Sequence, residues 1–175
     1  MRTIKKAKLN GVGYLELEYT EDVTNEAGEK FTVECSKKCT WDVHPDLLNI
    51  LDELKPHLAV LCEQVENMLE ITAWVNVMDQ PHPIIPKLKV TGFVIGGADE
   101  HEGVTLIGRR MLANNRVLNL ISPFTKWEDE HNGYEYGYEL ADIIKRLQIE
   151  SDLYLDGKMR PAAQLSLFES ENKIP

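Results

Sequence analysis

Leu47, Leu51, Leu54, Leu58, Leu61, Val65 and Met68 recur every three or four residues, and no other stretch restricts the fold as much. That spacing puts one apolar face on a helix, which must then be covered. Pro45 suits the first turn, with Asp46 favourable beside it. Pro56 removes one backbone donor and should kink the helix near Leu54 or split it in two, although the stripe keeps phase through it. The stripe is read as core packing rather than as a partner-binding face.

Strand patterns precede this helix. Thr3 to Lys8 and Gly13 to Tyr19 flank Asn10-Gly11, a tight-turn signal, and Tyr14, Glu16 and Glu18 alternate with Leu15, Leu17 and Tyr19. A polar connection over Asp22 to Glu29 leads to a third strand at Phe31 to Cys35, which predicts a three-stranded antiparallel unit. After the helix, Ile71, Ala73, Val75 and Val77 alternate with Thr72, Trp74 and Asn76, a strand pattern. The prolines at 81, 83 and 86 then make a stiff crossover. Strands at Leu88 to Ile95, Val104 to Met111 and Val117 to Ile121 are joined by short connections, so they form an antiparallel meander. A second helix runs from about Tyr138 to Gln148 on Leu140, Ile143, Ile144 and Leu147, and Leu153, Tyr154 and Leu155 add a last short packing element.

The expected fold class is therefore α+β. Two antiparallel β groups, the N-terminal three-stranded unit and the C-terminal meander, are packed with one long kinked helix and one shorter helix. A single domain over residues 1–157 would carry a flexible tail over residues 158–175.

A net charge of −10, from 29 acidic and 19 basic residues, disfavours a protein whose main task is to coat phosphate backbones, unless a local basic patch overcomes the repulsion. No apolar run approaches the length of a membrane span, and no signal-peptide core follows Met1 to Lys6, so a cytoplasmic location is expected. Three cysteines, Cys35, Cys39 and Cys62, are an odd number and read as reduced thiols. Cys35 and Cys39 with His44 lack the second close pair of a zinc site.

Two loops gather carboxylates around a histidine, Asp99-Glu100-His101-Glu102-Gly103 and Asp129-Glu130-His131-Asn132-Gly133. Consecutive turn residues point in different directions, so ordinary solvated turns are expected rather than a metal or catalytic centre. No nucleophile elbow, phosphate-binding glycine loop, dinucleotide fingerprint or zinc helix is present, which names no catalytic residue, no cofactor and no metal. Arg109, Arg110 and Arg116 lie on or beside the hairpin around Asn114, with Trp127 available for stacking and Lys87, Lys89 and Lys126 nearby in sequence. Strands carrying such groups bind single-stranded nucleic acid; the plain alternative is a sheet edge protected by charge.

The sharpest signal lies at Gln164-Leu165-Ser166-Leu167-Phe168, apolar residues between Arg160-Pro161 and the polar run Glu169 to Lys173. This pentapeptide resembles the linear motif with which bacterial polymerases, repair proteins and replication regulators dock on the DNA polymerase sliding clamp, the beta ring. The resemblance implies that Gln164 enters a small polar site, Leu165 and Leu167 contact the groove and Phe168 fills the main apolar pocket, with Ser166 between them. It covers five residues of 175 and speaks to a partner, not to the body. The alternative is a strand or helical turn docked on the protein's own core. The expected function is a non-enzymatic accessory or regulator of DNA replication, recombination or repair, in a phage or other mobile element. A single-stranded-DNA-binding protein with a recruiting tail and an inhibitor of the clamp are the other readings.

Overall fold

The computed structural model describes residues 2–98, 101–127 and 133–159. The first strand unit forms as its alternation requires, with β1 (Arg2–Leu9), β2 (Leu15–Thr24) and β3 (Lys30–Cys39) pairing in sequence order. Asn10 sets the first turn: its Oδ1 accepts the N–H groups of Val12 and Tyr14 at 3.0 and 3.1 Å. The meander also forms, from β4 (Leu88–Gly96), β5 (Gly103–Met111) and β6 (Val117–Ile121). A two-residue strand, β7 (Thr125–Lys126), pairs with β5 beyond the end of β6.

The two β groups are not separate. β1 pairs antiparallel with β4, giving one sheet in the order β3-β2-β1-β4-β5-β6. Only three register pairs form this seam, Lys6 with Val94, Ala7 with Phe93 and Lys8 with Gly92. Gly92 follows a bulge in β4, and a Cβ there would lie 2.2 Å from the Ala7 carbonyl oxygen and 2.8 Å from Lys8 Cα. Neither backbone atom can retreat without opening the seam. Gly92→Ala is therefore expected to destabilise the fold by about 3 kcal/mol in denaturant unfolding, whereas a change below about 1 kcal/mol would contradict this packing.

Pro56 bends the first helix where the sequence indicates. α1 (Pro45–Glu53) and α2 (Lys55–Leu61) meet at Leu54, and Pro56 has no N–H for the carbonyl of Asp52. The stripe does not continue to Met68, however. Glu63 takes a left-handed φ of 54°, and Gln64 N–H closes the helix end on the Ala59 carbonyl at 2.8 Å.

The strand expected over Ile71 to Val77 is instead a helix, α3 (Met68–Met78). Asn67 Oδ1 accepts the Glu70 N–H at 3.0 Å, and Glu70 Oε2 reaches back to the Glu66 N–H at 2.9 Å. This reciprocal N-terminal cap outweighs the β-branched alternation. The last helix, α4 (Gly137–Leu155), absorbs Leu153 to Leu155 and is the longest, so the expectation of one long and one shorter helix is corrected. Lys37 Nζ donates to the Leu155 carbonyl at 2.9 Å and caps the helix end.

One face of the sheet carries the core. Leu47, Leu51, Leu54 and Leu58 meet Leu140, Ile143, Ile144 and Leu147 above Leu15, Leu17, Val90, Phe93 and Leu106, all buried. Gly108 lets α2 approach, since a Cβ there would meet Leu58 Cδ2 at 2.4 Å. Tyr154 is fully buried, and its hydroxyl accepts the His44 N–H at 2.7 Å. Lys158, expected in the tail, is tied to the body: its carbonyl accepts the Trp41 indole N–H at 2.8 Å. The opposite face of the sheet is left to the side chains that alternate outward.

Candidate nucleic-acid interface

Strand alternation decides what the expected basic residues can do together. Arg109 and Arg110 are consecutive on β5, so they leave opposite faces of the sheet. Arg110 points to the helical side, where its Nη1 donates to Gln64 Oε1 at 2.7 Å. Arg109 points to the open face. Arg116 is exposed at the turn into β6, and Trp127 is half-buried against the core with its N–H on the Glu102 carbonyl at 3.2 Å. The four residues do not converge.

The open face assembles a different set. Register places Lys89, Arg109 and Asn119 directly across β4, β5 and β6 in one row, and Lys8, Gly92, Ile107 and Ile121 in the next. The side chains of Lys8, Lys89, Ile107, Arg109, Asn119 and Ile121 line a cleft of about 480 Å³ with the Asn10–Gly13 turn at one side, and no lining residue is acidic. Lys89 and Arg109 are like charges facing each other across a strand pair, an arrangement that is destabilising by itself. Among the described residues, the side chains of Lys8, Lys89 and Arg109 make no hydrogen bond or ion pair. Glu16 is the cross-strand neighbour of Lys8, but its Oε1 lies 3.7 Å from Lys38 Nζ and accepts from Asn10 Nδ2 at 3.3 Å. The carboxylates of this face thus pair towards β2 and β3, where Lys6 also meets Glu18 at 2.5 Å, and the β4–β6 half is left cationic.

Other polar clusters are satisfied internally. His44, Asp46 and Glu150 bring ligand atoms together, yet Lys158 Nζ already sits between the two carboxylates at 2.9 Å from Asp46 and 2.6 Å from Glu150. An ammonium holds the place a metal ion would take, and it keeps the Asp46 carboxyl below its usual range. His57 is buried, with Nδ1 2.9 Å from the Tyr134 hydroxyl, the rings edge-to-face, and Nε2 3.8 Å from Glu139 Oε1. Burial lowers its pKa to about 4 and raises that of Tyr134. A neutral imidazole hydrogen-bonded to the tyrosine hydroxyl and closed off from solvent is a packing element.

Cys35 and Cys39 lie four residues apart along β3 and Cys62 ends α2; all three are free thiols, with burial raising the pKa of Cys39 and Cys62. Of the two carboxylate-histidine loops, Asp99, Glu100 and residues 128–132 lie outside the described residues. Glu102 pairs with Lys5 at 3.4 Å. The pentapeptide Gln164, Leu165, Ser166, Leu167 and Phe168 also lies outside the described residues. No described helix is long and apolar enough to cross a membrane. Comparison with protein-family models, with curated proteins and with solved structures finds no match to this chain.

Proposed function

We propose that the protein docks on the bacterial DNA polymerase sliding clamp through Gln164 to Phe168 and acts, without catalysis of its own, as an accessory or regulator of DNA replication, recombination or repair. The observation that carries this reading is the pentapeptide itself, two leucines and a phenylalanine at the spacing of adjacent groove anchors, led by a glutamine that fixes register. A clamp partner places the protein in the cytoplasm, and a small chain that borrows the replication machinery suits a phage or mobile element.

Gel filtration with a purified bacterial clamp tests the docking. Wild type should co-elute with the ring and Leu167→Ala/Phe168→Ala should not; separate elution of wild type refutes the reading. Primer extension then separates recruiter from inhibitor, because a protein that only occupies the groove lowers polymerase processivity as its concentration rises.

A further inference from the structure

We infer that the open sheet face is a second binding site, in which Lys8, Lys89 and Arg109 hold the phosphate backbone of single-stranded nucleic acid. It is independent of the tail and differs from the arginine cluster that linear sequence suggests: Arg110 is committed to Gln64, while Lys8 and Lys89 reach the site only through the pairing of β1 with β4 and of β4 with β5.

Three features select the ligand. In a chain with a net charge of −10, a cleft lined by three cationic side chains and no carboxylate is a local reversal of sign, and its charges are left unsatisfied among the described residues. An anion between Lys89 and Arg109 relieves the repulsion of that facing pair. The cations also spread over β1, β4 and β5, two interstrand steps or roughly 10 Å, which suits successive phosphates better than one isolated anion. Finally, the far bank is apolar and amide-bearing: Ile121 is 69% exposed beside Ile107, with Asn119 in the cationic row. Unpaired bases can lie against these groups, whereas a duplex hides its bases. The absence of an aromatic ring from the cleft lining means that phosphate contacts supply most of the affinity.

A fluorescent oligothymidylate, titrated with the full chain at several salt concentrations, tests this directly. Three neutralised phosphates predict that log K falls against log salt with a slope of about −2. Lys89→Gln/Arg109→Gln should bring that slope to shallower than about −1 and weaken binding at low salt by about tenfold or more, with the unfolding midpoint unchanged or raised. Lys30→Gln/Lys145→Gln makes the same change in net charge away from the cleft and should leave binding nearly intact. Competition by thymidine monophosphate should be weak, and a duplex of equal length should bind less tightly than the single strand. The inference is overturned by no binding at low salt, by equal loss in the two double variants, by preference for the duplex, or by full competition from the mononucleotide. Because the Leu167→Ala/Phe168→Ala variant keeps the cleft, it should bind the oligonucleotide as wild type does, so failure of the docking and failure of this site are distinguishable.

Discussion

Acidification from pH 6.5 to pH 4 should remove about 3 kcal/mol of folding free energy through His57 alone, since its pKa falls from 6.5 to about 4 when the chain folds. The sign follows from proton counting. Below pH 6.5 the unfolded chain protonates this imidazole while the folded chain keeps it neutral, so the unfolded state binds more protons and stability falls as pH falls. The contribution is complete above pH 6.5 and lost below about pH 4. Glu139 Oε1 is only 3.8 Å away but is largely exposed, so water screens its attraction for a charged imidazole and burial decides the direction. His57→Gln retains an amide that can bond the Tyr134 hydroxyl and removes the titration. Denaturant unfolding at a series of pH values should show the slope between pH 6.5 and pH 4 flattened in the variant. An unchanged slope would mean that other groups carry the acid sensitivity.

Local signals made most of the strands and the bend legible. The turn at Asn10, the short meander connections and Pro56 each act within a few residues of their position in the chain, and each produced the element expected. The errors have physical causes of two kinds. Asn67 and Glu70 stand in the spacing of a helix cap, a signal present in the sequence that competes with the strand-like alternation of Ile71, Ala73, Val75 and Val77; an exposed helix tolerates such a pattern because so little of it is packed. The pairing of β1 with β4 joins segments more than eighty positions apart through three register pairs, and no local feature announces it.

The same division governs the binding face. That Arg109 and Arg110 leave opposite faces follows from strand alternation alone, and treating them as one patch overlooked that period. Lys89 opposite Arg109 was accessible from the β4–β5 hairpin once its register was known. Lys8 was not accessible, because its place depends on the long-range seam. Gly92 permits that seam, because a side chain there would run into the Ala7 carbonyl on the neighbouring strand.

Replacing Leu167 and Phe168 by alanine should abolish detectable binding to the sliding clamp while leaving the fold intact. A single small groove gives micromolar affinity, a binding free energy of about −8 kcal/mol, and an anchor residue contributes about 2 kcal/mol or more. Losing two anchors therefore weakens binding by about a thousandfold. An unfolding midpoint equal to that of wild type separates a lost contact from a damaged body. Calorimetric titration of purified clamp with each protein is the most direct measurement. The account predicts saturable micromolar binding for wild type and none for Leu167→Ala/Phe168→Ala; a wild type that gives no binding, or a double variant that binds equally well, would contradict it.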